Sequence, residues 1–171
     1  MIQVAKIWAD NWFMVKRNNK PLIILAAGGT GGHVFPAEAL ATVLKKRGFQ
    51  LALITDSRGE KIGGRLAKLD TYRVRAGGIA GKKMVWRIIS VIEILIGIIQ
   101  AWFLLQRLNP AVVIGFGGYS SVPTVLAASY GGYKTVIHEQ NSILGRANSF
   151  LARRVNKIAI SFENVKEIPK S

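Results

Sequence analysis

Short apolar runs alternate with helical segments along this chain, and that alternation restricts the possible folds more than any other feature. The apolar runs lie at 22–27, 51–55, 71–75, 111–116, 134–138 and 157–161. Helical patterns lie between them at 36–47, about 83–108, 122–130 and 144–153. Strands that alternate with helices form parallel βαβ units. The sequence therefore predicts an α/β fold with a doubly wound parallel sheet.

The chain has 171 residues, of which 50% are hydrophobic and 19% charged, as expected of one globular domain. We predict a domain over 20–165, a polar tail at 166–171, and an extension or leader at 1–19. The first 20 residues contain no long apolar core typical of a signal peptide. They fit a short interfacial helix, a disordered leader, or an upstream start codon with Met14 as the true first residue. The absence of cysteine excludes disulfides, thiolate metal sites and a thiol nucleophile.

A glycine-rich turn follows the first predicted strand, from Gly28 to His33. Glycines between a strand and a helix let backbone N–H groups converge on an anion at the positive end of the helix. A dinucleotide fingerprint needs a third glycine where Val34 stands, although Asp56 lies where a ribose-binding acid would be. The P-loop pattern also fails, because no Gly-Lys-Ser/Thr follows. A phosphate-binding turn is favoured over an NAD site and over a turn without a ligand.

Two further strands end in polar or glycine-rich segments. The fourth strand leads into Gly117, Gly118, Tyr119 and Ser120, and the fifth ends at His138, Glu139, Gln140 and Asn141. Ligands of open α/β sheets bind beyond the carboxyl ends of the strands. The three segments are therefore expected at one edge, where they can hold two phosphates or one diphosphate. An ordinary polar loop is the alternative for the last segment.

Three of these stretches, 28–41, 115–128 and 138–148, resemble the signature stretches of MurG-type glycosyltransferases and occur in the same order. These are the undecaprenyl-diphospho-muramoylpentapeptide N-acetylglucosaminyltransferases of bacterial peptidoglycan synthesis. The resemblance covers about 20–165 and implies the Rossmann-like N-terminal half of a two-domain GT-B enzyme. It implies that this half binds the acceptor and that the donor-binding C-terminal domain is absent from the chain. A catalytically inactive module that binds membrane or lipid-linked acceptor is the alternative function.

The resemblance implies an inverting hexosyl transfer, in which the 4-hydroxyl of the acceptor's MurNAc attacks GlcNAc and UDP leaves. Such a displacement needs a general base, for which His33 is the candidate and Glu139 the alternative. A histidine that only caps the helix or binds phosphate is the competing interpretation of His33. The remaining substrate-binding candidates are Thr30, Gly31, Gly32, Gly117, Gly118, Tyr119, Ser120, His138 and Asn141. We expect no protein-bound metal and no cofactor, although the substrate's diphosphate can carry magnesium.

The net charge of +15 predicts an anionic partner, and the long apolar segment indicates which one. Residues 88–106 are long enough to approach a membrane span, but Arg87, Ser90, Glu93, Gly97 and Gln100 form a polar stripe along one helical face. Nine Lys and Arg residues lie between Ser57 and Arg87. We predict that the helix covers the sheet with part of its apolar face and touches lipid with the rest.

The membrane contacts are assigned to Lys82, Lys83, Arg87, Ile88, Trp102 and Phe103. The expected location is the cytoplasmic face of the bacterial inner membrane, with other cell-wall synthesis proteins as candidate partners. A buried crossover helix with solvated charges is the alternative. Nucleic-acid binding is disfavoured, because the aromatic interleaving typical of such proteins is lacking.

Overall fold

The computed structural model of the chain describes residues 20–28, 30–57, 64, 66–78, 84–166 and 168, with only the backbone of 84–87. The extension predicted at 1–19 and most of the predicted tail lie outside these residues. Six parallel strands form one sheet in the order β3-β2-β1-β4-β5-β6. The strands are β1 (Leu22–Ala26), β2 (Gln50–Thr55), β3 (Asp70–Arg73), β4 (Val112–Gly115), β5 (Lys134–Glu139) and β6 (Lys157–Ile160). The predicted doubly wound parallel sheet is confirmed.

Helices cover both faces of the sheet, as alternation along β1 requires. Ile23 and Leu25 of β1 pack on one side, in a cluster with Ala37 and Ala41 of the first helix. Ile24 faces the other side, in a cluster with Ala101 of the second helix. The helices are α1 (Gly31–Lys46), α2 (Met84–Leu108), α3 (Val122–Tyr130) and α4 (Arg146–Leu151). A single-turn 3₁₀ helix spans Leu66–Lys68.

Helix α1 begins at Gly31, five residues before the predicted start at Pro36. The backbone of Thr30 is extended, and its carbonyl accepts hydrogen bonds from the N–H groups of His33 (3.0 Å) and Val34 (3.1 Å). Proline favours the first helical turn, so Pro36 indicated a later start. It lies instead in the second turn, where its fixed φ suits the helix but a proline loses one intrahelical hydrogen bond and its ring crowds the carbonyl four residues back. Gly31, Gly32 and His33 therefore belong to the helix itself.

Helix α2 meets the rest of the chain through its small and polar residues. The Ser90 hydroxyl donates to the Gly78 carbonyl (3.0 Å), and Gln100 Oε1 accepts the N–H of Arg75 (2.8 Å). Gly97 is buried where any Cβ would collide with the Arg75 carbonyl. The described members of the polar stripe thus face the segment 75–78, since that segment offers backbone groups in need of partners. One turn further along, Ala101 and Leu105 are fully buried against the sheet.

The opposite side of α2 is apolar and exposed. By length and composition alone, Ile88–Leu108 is the one stretch of the described helices long and apolar enough to cross a membrane. Core helices of soluble proteins pass the same test, and only 22% of this stretch is buried. We use the term α2 face for its exposed apolar side chains, which are Ile88, Ile89, Val91, Ile92, Leu95, Ile99, Trp102 and Phe103. Part of the predicted apolar surface thus covers the sheet, and a large remainder does not.

Candidate functional site

Three loops meet at the carboxyl edge of the sheet, as the sequence predicts. They are the turn between β1 and α1, the turn between β4 and α3, and the segment after β5. The buried Ser120 hydroxyl donates to the Gly28 carbonyl (3.2 Å) and so joins the first two loops. The Gln140 side chain joins the third loop to the first, with its Nε2 2.8 Å from Nδ1 of His33. We call His33, Gly117, Gly118 and Gln140 the histidine platform.

The half-buried His33 ring lies across the second glycine turn. A Cβ on Gly117 would lie 3.2 Å from Cε1 of the ring, and one on Gly118 would lie 3.0 Å from Cδ2. Both glycines also have positive φ angles, 84° and 71°. Any side chain here would be strained and would press on the imidazole. The glycine pair therefore lets the His33 ring pack flat against the backbone of the second turn.

The first turn of α1 presents backbone donors to solvent. Thr30, Gly31 and Gly32 are exposed, and a Cβ on Gly32 would meet no atom within 4 Å. N–H groups in the first turn of a helix have no acceptor within the helix, and the helix dipole adds partial positive charge there. This turn can donate hydrogen bonds to an anionic or hydroxyl-rich ligand beside His33.

Glu139 is fully buried beneath the third loop, and each carboxylate oxygen accepts two hydrogen bonds. Oε1 accepts the backbone N–H (3.0 Å) and Nδ2 (2.8 Å) of Asn141. Oε2 accepts the N–H of Gly145 (2.8 Å) and Nδ2 of Asn148 (2.8 Å). Burial alone would raise the pKa of Glu139, but the bonds from Gly145, Asn148 and Asn141 together lower it. The carboxylate is held ionised and organises the loop that carries Asn141.

His138 lies at the end of β5, with its ring 5.6 Å from the Phe116 ring and its Nε2 3.2 Å from the Ser161 hydroxyl. Burial lowers the pKa of His138, while the Glu139 charge and a hydrogen bond with Gln140 partly oppose that effect. His138 is therefore a largely neutral neighbour of the platform near physiological pH.

The other predicted residues take different positions. Tyr119 is half-buried in the second turn, and Asn141 is exposed while tied to Glu139. Asp56 is buried at the end of β2, with 1% exposure, so its carboxylate is not presented to a ribose. Within the described part of the chain, no group of three or more His, Cys, Asp or Glu residues could hold a metal.

Two residues connect the site in ways that sequence reasoning did not predict: Gln140 was named only as part of its segment, and Asn148 was not named as a site residue. Gln140 holds His33, and the buried Asn148 donates to both Glu139 and the His138 carbonyl (3.0 Å). Both lie within 138–148, the third of the signature stretches. That stretch was the available signal, but the bonds span up to 107 positions and no local pattern predicts them.

The predicted membrane contacts are only partly described. Ile88 and Phe103 are strongly exposed on the α2 face, and Trp102 is exposed at 37%. Lys82 and Lys83 lie outside the described residues, and Arg87 is described only in its backbone. The apolar half of the predicted membrane surface is therefore present, and its basic half stays a prediction.

Comparison with known proteins gives consistent matches. Residues 23–160 match the model of the glycosyltransferase family 28 N-terminal domain. The UDP-N-acetylglucosamine–N-acetylmuramyl-(pentapeptide) pyrophosphoryl-undecaprenol N-acetylglucosamine transferase of Paramagnetospirillum magneticum is 59% identical over 149 residues, which are 87% of this chain and 40% of that protein. The transferase of the same name from Rhodospirillum rubrum is also 59% identical, over 84% of this chain and 38% of that protein. The chain thus spans about 40% of the length of these curated relatives.

Solved structures agree. The crystal structure of Acinetobacter baumannii MurG superposes with a TM-score of 0.73 and 33% identity, covering 90% of this chain and 44% of that one. UDP-GlcNAc 2-epimerase from Methanocaldococcus jannaschii superposes with a TM-score of 0.58, and at 15% identity it shows only a shared fold. The fold and the order of the three signature stretches therefore point to the same group of proteins.

Proposed function

We propose, from the premise that this chain belongs to the MurG-type members of glycosyltransferase family 28, that it forms the acceptor- and membrane-binding half of a hexosyltransferase. The reaction is the inverting transfer of N-acetylglucosamine from UDP-GlcNAc to undecaprenyl-diphospho-MurNAc-pentapeptide, a step of peptidoglycan synthesis. One observation carries the proposal. The three signature stretches converge at the carboxyl edge, where the Gln140 side chain is 2.8 Å from His33 and Ser120 is bonded to Gly28.

His33 is the proposed general base. It lies in the first turn of α1 and is only half-buried, so part of its side chain can meet a ligand. Glu139 is the weaker candidate, because it has no exposure and both its oxygens already accept hydrogen bonds. An imidazole can take the proton of the attacking 4-hydroxyl near neutral pH. Glu139 then acts at a distance, by fixing the loop of Asn141.

The donor and acceptor are proposed to meet at this edge. Thr30, Gly31 and Gly32 are exposed residues, and their backbone N–H groups suit the oxygens of a sugar or a diphosphate. The exposed Asn141 amide can both donate and accept beside them. Gly118, Tyr119 and His138 complete the proposed lining of the site, and the buried Gly117 and Ser120 hold its loops in place.

The test is turnover of the two substrates by this chain combined with the C-terminal part of the Paramagnetospirillum magneticum relative. We expect GlcNAc transfer, and a loss of at least 100-fold in His33→Ala with substrate binding retained, as for a missing general base. His33→Ala with unchanged turnover would refute the base assignment. Binding of the lipid-linked acceptor without any transfer would favour the alternative, an inactive binding module.

The α2 face is proposed to dock on the cytoplasmic surface of the inner membrane, where the lipid-linked acceptor is embedded. Eight exposed apolar side chains lie along one helix, and apolar surface of this kind on a protein marks a membrane or protein contact. The opposite side of α2 is bonded to the segment 75–78, which favours a helix lying in the interface over one crossing the bilayer. The positive net charge of the chain adds attraction to anionic lipid.

A further inference from the structure

Gln140 links the two histidines of the chain. Its Nε2 lies 2.8 Å from Nδ1 of His33, and its side chain also influences the pKa of the neighbouring His138. Two atoms between these groups are buried and, among the described residues, lack a partner within hydrogen-bond geometry: Oε1 of Gln140 and Nδ1 of His138. An unsatisfied buried polar atom costs free energy, so this pair calls for an explanation.

The Gln140 amide can occupy its position in two ways. The oxygen and nitrogen of an amide are almost equal in size, and the hydrogen-bond network decides which faces which partner. With Nε2 toward His33, the amide donates to Nδ1, and neutral His33 carries its proton on Nε2. With Oε1 toward His33, Nδ1–H donates to the amide oxygen and Nε2 keeps a free lone pair. In that second arrangement the amide N–H groups turn toward the unpartnered Nδ1 of His138.

We propose that Gln140 is a positioning residue that accepts Nδ1–H of His33 through Oε1, leaving Nε2 as the nitrogen that receives the substrate's proton. The inference rests on the proposed function, because only a base needs that lone pair. When the acceptor hydroxyl transfers its proton to Nε2, the resulting imidazolium still donates Nδ1–H to the same oxygen. Nothing in the amide has to move during the reaction.

The ring is held for this role from a second side as well. Gly117 lies against Nδ1 and Cε1, where a Cβ would be 3.3 Å and 3.2 Å away. Gly118 lies against Cδ2 and Nε2, at 3.0 Å and 3.2 Å from its would-be Cβ. The glycine pair fixes the plane of the ring, and Gln140 fixes which nitrogen carries the proton. The glycine pair and Gln140 are both needed, since packing against the glycines does not distinguish the two tautomers.

Nitrogen-15 NMR of the imidazoles tests the proposal directly. The chain has two histidines, so the spectrum holds two imidazoles, and His33→Gln assigns them. In the wild-type chain we expect a protonated Nδ1 and an unprotonated Nε2 at His33. Gln140→Glu should preserve this pattern, because a carboxylate can accept Nδ1–H but cannot donate. Gln140→Leu should lose it and give a mixture of both tautomers.

The outcomes separate cleanly. A wild-type His33 protonated on Nε2, or a pattern unchanged in Gln140→Leu, would overturn the proposal. Ser161→Ala is the matched control. Among the described residues, it removes a side-chain partner of His138 and none of His33. A His33 pattern that responds equally to Ser161→Ala would also overturn it. Thermal unfolding by circular dichroism checks that each variant folds. The spectra need no substrate, so the tautomer is measured independently of turnover. If His33 showed the expected tautomer but the enzyme showed no turnover, only the proposed function would be refuted.

Discussion

The carboxyl edge and the α2 face differ in where their side chains find partners. At the edge, each oxygen of the buried Glu139 carboxylate has partners within the chain, and two bonds join loops more than 90 positions apart. On the α2 face, Ile99 and Phe103 are 57% and 69% exposed. Most polar groups at the edge are bonded within the chain, so the edge can be organised before a ligand arrives. The α2 face leaves apolar side chains exposed to water, which costs free energy. We therefore propose that it binds an external surface.

The largest expected effect separates the two sides of α2 itself. Leu105 is fully buried, whereas Leu95 on the same helix is 55% exposed. Leu105→Ala should lower the free energy of unfolding by about 3 kcal/mol, since it leaves a cavity in the core. Leu95→Ala, its matched control, should change it by less than about 0.5 kcal/mol. Urea denaturation measures both. Equal losses would mean that the α2 face is packed within the chain.

The second effect concerns the carboxylate beneath the edge. Glu139→Ala removes the acceptor of Asn148 and of the Asn141 and Gly145 backbone, and should destabilise the chain by about 2 kcal/mol. Glu163 is an exposed glutamate, and Glu163→Ala is the control, with a change below about 0.5 kcal/mol. The same urea titrations apply. If both variants were equally stable, the edge would not depend on Glu139.

Local patterns predicted the strands well and the position of polar groups poorly. Apolar runs bounded by Gly, Pro or Asn matched the strands to within about two residues, because such runs are buried whatever packs on them. The polar stripe of α2 was visible in sequence, but its direction depends on where Arg75 and Gly78 expose backbone groups. The bond between Gln140 and His33 joins separate loops and has no local signature. The sequence therefore indicates which segments form the edge, and tertiary contacts determine which side chains are hydrogen-bonded to each other.

The third effect tests what covers the α2 face. Phe103→Ser should weaken binding to anionic vesicles by roughly 30-fold, because a buried phenylalanine contributes about 2 kcal/mol to partitioning. Phe35 on α1 is 70% exposed on the other side of the sheet, and Phe35→Ser should leave vesicle binding unchanged. Co-sedimentation at low and high salt measures both variants. Failure of the wild-type chain to bind vesicles would refute the membrane assignment, and equal losses would mean that binding is not specific to α2.

The smallest effect belongs to the edge and depends on pH. Burial lowers the pKa of His138 below its ordinary value of 6.5, so the unfolded chain binds more protons than the folded chain just below that value. Its contribution to stability is therefore complete above pH 6.5 and is lost as the pH falls toward the folded-state pKa. Glu139, whose pKa is lowered from 4.5, adds a loss only at more acidic pH. We expect the urea midpoint of the wild-type chain to fall between pH 6.5 and 5 and that of His138→Gln to fall less. Parallel slopes for the two proteins would show that His138 is not held neutral, and the edge would then be less closed to water than its hydrogen bonds indicate.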